Sequence, residues 1–165
     1  MFRAGITLLR RVKRPGPPGS TAANLSPEDL NNQKLNKMLE DLRNQKNVLG
    51  NPLEICSTDP MTGYIRDGKC TCITQDPGQH TIAAVLTSEF LEFSKSIGND
   101  LSTPRPEFGF DGLKEGDHWC LCLMRWIEAV EHEKAPRVKL EATNESVLRH
   151  VKLEILKKYQ HFEDK

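Results

Sequence analysis

The stretch of residues 47–78 constrains the fold most, because turn-forming sequences interrupt it every few residues. These turns are Gly50-Asn51-Pro52, Thr58-Asp59-Pro60, Thr62-Gly63, Arg66-Asp67-Gly68 and Asp76-Pro77-Gly78. Glycine, proline, asparagine and aspartate favour turns over the continuation of a helix or a strand. The stretch therefore predicts an irregular meander of short strands, and it does not fit a fold built from regular βαβ repeats.

A helix is predicted before the meander, over about residues 27–46. Ser26 can cap its N-terminus, and Pro27 occupies the first helical position. One apolar stripe runs along it, formed by Leu35, Met38, Leu39 and Leu42. The helix has fewer than about three heptads, too few for a coiled coil. We expect the stripe to pack on the main domain, and the alternative is a docking site for a protein partner.

The rest of the chain mixes strands and helices. Its pattern predicts a buried strand at 82–86, a helix from 87 or 88 to Gly98, a helix at about 121–134, a half-buried strand at 137–142, a helical turn after Asn144 and a last helix at about 153–160. Residues 119–123 could also form a strand, but the helical spacing that begins at Leu123 favours the helix. A connection rich in proline and glycine, at 99–118, is too long to be a passive link. Phe108 and Phe110 are expected to anchor it.

The fold class that follows is α+β, with strands and helices that do not alternate regularly. We expect a single compact domain of short strands and about four helices at residues 47–162. The amphipathic helix of residues 25–46 precedes it.

Residues 1–24 are expected to lie outside the fold. Before Glu28 the chain has no acidic residue, and its basic residues are Arg3, Arg10, Arg11, Lys13 and Arg14. Together with the apolar residues among them they can form a basic amphipathic helix, the composition of mitochondrial presequences. The segment predicts import into mitochondria, to the matrix, and the alternative is a disordered basic tail on a cytoplasmic protein.

Charge and hydropathy exclude several classes of partner. The 23 Lys and Arg residues balance 23 Asp and Glu residues, so the chain has no overall positive charge to attract nucleic acid. No window approaches the roughly 20 apolar residues of a membrane-spanning helix. We therefore expect a soluble protein that binds no nucleic acid. The sequence motifs of the common cofactor enzymes are also absent.

Five cysteines are the main candidates for chemistry: Cys56, Cys70, Cys72, Cys120 and Cys122. An odd number does not suggest a secreted disulfide scaffold. Tetrahedral zinc needs its sulfurs under ~4 Å apart, whereas residues i and i+2 of a strand are roughly 6 to 7 Å apart. On the predicted helix at most one of Cys120 and Cys122 could join a metal site, and Cys122 would share a core face with Trp126. A site for zinc or another thiolate-bound metal would need Cys56 and Cys70 to converge on Cys120, and burial of the cysteines as ordinary apolar residues is the alternative.

A thiol-dependent enzyme is a second hypothesis. His118 lies two residues before Cys120, so in an extended backbone both side chains point to the same side. A following helix N-terminus would lower the pKa of a nearby thiol. Cys120 and His118 are therefore the candidate catalytic pair, and the alternative is an ordinary surface histidine. His80 is open to the same two interpretations.

The connection at 99–118 concentrates further functional groups. Its candidate ligand-binding residues are Asp100, Ser102, Thr103, Arg105 and Glu107. An arginine there could bind a carboxylate or phosphate, and the acids could act as bases. The alternative is an ordered loop in which these groups satisfy the backbone.

The chain resembles domain-of-unknown-function family 2237, small proteins conserved in bacteria. The resemblance covers about residues 47–160 and is carried by NVLG, CSTDP and the run GNDLSTPRPEFGF. It implies a single domain of bacterial type. Family members resemble the chain at Cys56, Cys70, Cys120 and Cys122, whereas Cys72 departs from the pattern, so those four are the candidate metal ligands. Our leading hypothesis is a polar pocket, formed by these thiols and the 99–118 connection, that binds a metal or a small ligand.

Overall fold

The computed structural model describes residues 26–162 and confirms an α+β fold. Its regular elements are α1 (Pro27–Arg43), β1 (His80–Val85), α2 (Ser88–Ser96), β2 (His118–Cys122), α3 (Leu123–Glu131), β3 (Arg137–Val138) and α4 (Leu153–Lys158). Short 3-10 helices lie at Pro106–Phe108, Leu140–Ala142 and Glu145–Arg149. In this part of the chain, no helix has the length and apolar character to cross a membrane. The prediction for residues 1–24 falls outside the described residues.

The three strands form one antiparallel sheet in the order β2-β1-β3. Strand β1 is central, which agrees with its unbroken apolar sequence, since Ile82, Ala83 and Ala84 have no exposed surface. It pairs with β2 along most of its length, and Ala83 lies opposite Cys120. Strand β3 is short, pairs with the end of β1 and forms one parallel bridge between Val138 and Gln160. This order places β2 at one edge of the sheet.

The two faces of the sheet are covered by different parts of the chain. Because side chains alternate along a strand, Ile82 and Ala84 contribute to one core cluster and Ala83 to another. The larger cluster includes residues of the helices that cover its face, among them Phe90, Leu123 and Trp126. The smaller cluster consists of Cys56, Cys70, Ala83, Cys120 and Ala142. The turn-rich stretch thus supplies two cysteines to the face opposite the helices.

The predicted cap of α1 is confirmed, and two more helices have caps of the same local kind. Ser26 and Asp29 form a reciprocal capping box at the start of α1. Thr87 caps α2 by accepting a hydrogen bond from the backbone N–H of Phe90. The Asn144 side chain caps the 3-10 helix that follows it.

Two predicted boundaries between 118 and 142 are wrong. The segment His118–Cys122 is a strand, and the helix predicted from about residue 121 begins at Leu123. The backbone of His118–Cys122 pairs with β1, and the side chains of Trp119 and Leu121 enter the main core. This pairing outweighs the local helical spacing. The strand predicted at 137–142 stops at Val138, because a 3-10 helix follows at Leu140–Ala142.

The apolar stripe of α1 does not pack on the domain, contrary to our expectation. Leu35 and Met38 are 49% and 51% exposed, and no residue of α1 is buried. Towards the end of the helix, Met38 and Leu42 line a groove together with Ile65. Most of the stripe therefore faces solvent in the described chain, and its use by a protein partner stays a prediction.

Candidate functional site

Three cysteines meet on the sheet face opposite the helices, as the metal hypothesis required. The Sγ atoms of Cys56, Cys70 and Cys120 lie within 4.8 Å of one another, and all three residues are buried. Cys70 and Cys120 form a disulfide across 50 residues of chain. Cys56 is a free thiol beside this bond. We call these three residues the sulfur cluster.

Backbone hydrogen bonds of the meander hold Cys56 beside Cys70. The Cys56 N–H donates to the carbonyl oxygen of Gly68 over 2.8 Å. Gly68 has a φ of +80°, and a Cβ there would lie 3.0 Å from the Ser57 carbonyl oxygen. Glycine is needed for this turn and close approach, so the Arg66-Asp67-Gly68 turn brings the two cysteines together.

Strand β2 places Cys120 against the same layer. The backbone N–H of Cys120 donates a hydrogen bond to the hydroxyl of the fully buried Thr62 over 2.9 Å. This bond connects the meander to the edge of the sheet. Opposite Cys120, Ala83 contributes only a methyl group to the smaller cluster, and Ala142 does the same. Small neighbours leave volume for three sulfur atoms.

Burial makes Cys56 a poor nucleophile at neutral pH. Desolvation raises the pKa of its thiol to about 12, although the cationic Lys139 acts in the opposite direction. A buried thiol that keeps its proton does not attack electrophiles. Its chemistry then depends on a partner that can displace the proton, and a metal ion does so.

The other two cysteines lie outside the sulfur cluster and are half-buried free thiols. Cys122 ends β2 and occupies the N-cap position of α3, so it is not the core residue beside Trp126 that helical spacing predicted. It follows Cys120 by two positions on the strand, a spacing greater than that of two sulfurs on one zinc ion, and it is not part of the group of converging sulfurs. The backbone of Cys72 exchanges two hydrogen bonds with the Gln45 side chain.

His118 lies on β2, two residues before Cys120. Its ring approaches the ring of His161 edge-on, with centroids 6.1 Å apart. Because Cys120 is bonded to Cys70, its sulfur could act as a nucleophile only after reduction. Catalysis by Cys120 and His118 stays a prediction.

The polar groups that open the 99–118 connection bind one another. The Asp100 carboxylate accepts hydrogen bonds from the backbone N–H groups and the hydroxyls of Ser102 and Thr103. These bonds, above all those from Thr103, hold the pKa of Asp100 well below its usual range. Such an arrangement corresponds to the ordered-loop alternative. A ligand-binding role for these three residues stays a prediction.

The remainder of the connection is anchored at one phenylalanine. Phe110 packs against Trp119 with ring centroids 5.8 Å apart, as expected. Phe108 is 78% exposed, so the expectation that it anchors the loop is wrong. It lies in the exposed 3-10 helix Pro106–Phe108, whereas Arg105 and Phe110 pair through their backbones on either side. Arg105 and Glu107 are exposed at the same tip.

A pocket of about 380 Å³ lies beside β2 and shares Cys120 with the sulfur cluster. It is lined by Gly63, Tyr64, Arg66, His80, Leu101, Phe110, Trp119 and Cys120. The 99–118 connection thus approaches the cysteines, but through the apolar Leu101 and Phe110 and not through its polar residues. We call this space the β2 pocket.

The charged groups of the β2 pocket were largely missed by the sequence analysis. The Arg66 guanidinium lies 5.0 Å from the centre of the Trp119 ring. The Nδ1 atom of His80 lies 2.9 Å from the carboxylate of Asp76, whose side chain is only 1% exposed. The sequence did show that Asp76 and His80 are four residues apart. In a turn-rich segment, however, this spacing does not predict that the two side chains contact each other. Arg66 gave no signal beyond its place in a turn.

Comparison with known proteins agrees with this architecture. A search of curated proteins finds no match to the chain. One family model, described as an uncharacterized protein conserved in bacteria, matches residues 46–160, a range that includes the meander, the sheet and all five cysteines. The match confirms the resemblance seen in the sequence. The chain belongs to domain-of-unknown-function family 2237.

Proposed function

We propose that this protein binds a zinc ion through Cys56, Cys70 and Cys120 when the Cys70–Cys120 bond is reduced. The observation that carries the proposal is the approach of these three sulfur atoms, from three separate segments, to within 4.8 Å of one another. Soft thiolate ligands favour zinc, copper(I) and iron–sulfur clusters over magnesium or calcium.

The separation of the sulfurs suits zinc with little rearrangement. Zinc–sulfur bonds of ~2.3 Å place the sulfurs of a site just under ~4 Å apart. The Cys56 sulfur lies within 4.8 Å of both other sulfurs, and reduction of the Cys70–Cys120 bond frees those two to move to the separation that zinc requires. Within residues 26–162 the group offers three protein ligands, so water or another small ligand would fill the fourth position, as in open zinc sites.

Charge favours zinc over copper(I). Three thiolates with Zn²⁺ leave one net negative charge, whereas with Cu⁺ they leave two. A buried excess charge is costly unless a counter-charge compensates it. The cation of Lys139 acts on the Cys56 thiol, and the zinc complex, which carries the smaller excess charge, is the less costly of the two to bury beside it.

The oxidised protein should not bind the ion. In the disulfide, Cys70 and Cys120 have no thiolate to donate, and Cys56 alone is no site. The proposal therefore predicts a binding site that appears on reduction. In a compartment that keeps thiols reduced, disulfides seldom persist, and the three-thiol form would then dominate.

The test is metal titration of the full chain reduced with a phosphine and kept under argon. Cobalt(II) serves as a coloured probe for thiolate ligands, and zinc is then added to displace it. We expect one ion per chain in the wild type and a loss of thiolate-to-cobalt absorption in Cys56→Ser and Cys120→Ser.

Matched controls are Cys72→Ser and Cys122→Ser, which remove free thiols outside the sulfur cluster. Both should bind cobalt and zinc as the wild type does. Binding that survives Cys56→Ser, or that disappears in Cys122→Ser, would show that the sulfur cluster is not the site. Far-UV circular dichroism of each variant establishes that the fold is retained.

A further inference from the structure

We infer that the β2 pocket binds a small carboxylate with an aromatic or apolar body, held by Arg66 and His80. This site adjoins the proposed metal site, because Cys120 lines both, but its polar groups come from other residues and require no reduced cysteine. It adds an organic ligand to a protein for which only an ion has been proposed above.

The size and walls of the β2 pocket suit a small organic molecule. Its volume of about 380 Å³ falls at the lower end of the range of about 300–1,000 Å³ for ligand sites in proteins. Aromatic rings of Tyr64, Phe110 and Trp119 line it, and Leu101 adds an aliphatic wall. Mostly apolar walls with a few polar groups are the usual composition of such sites.

Arg66 supplies an exposed cation that rests against the Trp119 ring. Its guanidinium lies over the Trp119 ring, which leaves the N–H edge free to form two parallel bonds to a carboxylate. The backbone N–H of Arg66 donates a hydrogen bond to the carbonyl oxygen of Gly63. In this turn the backbone of Arg66 has a φ of +55°. A Cβ at Gly63 would lie 2.4 Å from the Lys69 carbonyl oxygen, so the turn requires glycine.

No carboxylate of the described chain neutralises Arg66. The ion pairs found among residues 26–162 involve His80, Lys95, Arg125 and Lys134 as the basic partners. A cation placed against an indole ring in a pocket, without an acidic partner of its own, is a natural binding group for an anion.

His80 is oriented by a buried carboxylate. Asp76 accepts hydrogen bonds from the backbone N–H groups of Gly78 and His80, which fix its side chain, and it also binds the ring Nδ1. The Nε2 atom is then the ring nitrogen left for a ligand. The ring rests on Gly78, where a Cβ would lie 2.6 Å from Cε1, and it stacks with Tyr64.

The balance of charge favours a singly charged carboxylate over a phosphate. The carboxylate of Asp76 is already engaged with the ring of His80, and the guanidinium of Arg66 is the remaining charge at the pocket. One positive charge matches a monoanion. A dianionic phosphate would remain undercompensated in a partly closed apolar pocket.

The test uses benzoate as the probe on the full chain, with binding followed in ¹H–¹⁵N spectra. The chain has two tryptophans, and the indole N–H signal of Trp119 should shift, whereas that of the buried Trp126 should not. Benzyl alcohol and phenyl phosphate test the charge. We expect benzoate to bind more tightly than either.

Variants then test the two polar groups. Arg66→Gln should weaken benzoate binding roughly 10- to 100-fold, because a charge-assisted pair is lost, and His80→Gln should weaken it less. Arg149→Gln removes an arginine that lines another groove and should leave benzoate affinity unchanged. Zinc binding by the reduced chain should survive Arg66→Gln, which separates this site from the sulfur cluster.

Three results would overturn the inference. The first is the absence of saturable benzoate binding to the wild type below ~10 mM, the limit of weak specific affinity. The second is equal binding of benzoate and benzyl alcohol, which would make the charge irrelevant. The third is tighter binding of phenyl phosphate, which would assign the pocket to another ligand class. None of these comparisons depends on a variant that might fail to fold.

Discussion

Reduction of the Cys70–Cys120 disulfide should remove a large part of the stability of this domain. The bond joins residues 50 apart in the chain. In the chain-entropy model, a crosslink lowers the entropy of the unfolded chain by about 2.1 + 1.5R ln n cal/mol/K, which for a loop of this length amounts to ~4 kcal/mol at 25 °C. Typical domains are stable by only about 5–15 kcal/mol in total. The reduced, metal-free protein should therefore be marginally stable.

Urea unfolding of the oxidised and reduced protein measures this difference, with the fluorescence of the buried Trp126 as one readout of the core. We expect the double variant Cys70→Ala/Cys120→Ala to resemble the reduced wild type. Cys122→Ala, which removes a thiol outside the sulfur cluster, should retain the stability of the oxidised wild type. Zinc extends the experiment, because a ligand at about 1,000 times its Kd stabilises the folded state by ~4 kcal/mol.

Zinc should then return most of the lost stability to the reduced wild type and none to the double variant. Two results would refute the reasoning. Equal unfolding midpoints with and without reductant would mean that the crosslink does not restrict the unfolded chain as calculated. Recovery of the double variant on addition of zinc would place the ion somewhere other than the sulfur cluster.

Two further predictions concern Cys56 and the N-terminal segment. Raising the pH from about 8 to about 11 should destabilise the wild type by roughly 2–3 kcal/mol more than Cys56→Ala, measured by urea unfolding. The reason is that the pKa of the Cys56 thiol is near 9 in the unfolded chain and about 12 in the folded chain. The thiol therefore contributes its full share of stability below pH 9, and this share is lost as the pH rises towards 12. Equal pH dependence of the wild type and Cys56→Ala would contradict this. We also propose that residues 1–24 direct import into the mitochondrial matrix, with the mature N-terminus before Ser26. Microscopy of the full chain and of a chain lacking residues 1–24 tests it, and a cytoplasmic full chain would show the proposal to be wrong.

The features that sequence predicted well are those determined by near neighbours. The cap of α1 follows from Ser26 and Asp29, three residues apart, and the central strand follows from an unbroken apolar run. The boundary between β2 and α3 was predicted wrongly because helical spacing is also local, while the partner that makes residues 118–122 a strand lies about 40 residues earlier in β1. Docking of α1 failed for a related reason, since an apolar stripe does not say whether a matching surface exists.

The candidate site follows the same division. The metal hypothesis required Cys56 and Cys70 to converge on Cys120, and the three do meet. Which of them form a disulfide could not be read from spacing, because five thiols allow many pairings. The β2 pocket was invisible for a similar reason, since Arg66, His80 and Trp119 come from a turn, from the start of β1 and from β2.

The sulfur cluster occupies the part of the fold where apolar burial is scarce, and this bears on its role. Among the described residues of the meander, the buried apolar side chains are Val48, Leu53, Cys56 and Cys70. A layer with so small an apolar core needs other connections to stay on the sheet, and the disulfide to Cys120 is one. A purely structural crosslink, however, requires only Cys70 and Cys120. A third thiol beside that bond fits either a small apolar core residue or a metal ligand, so the response of Cys56 to zinc distinguishes a crosslinked scaffold from a zinc centre.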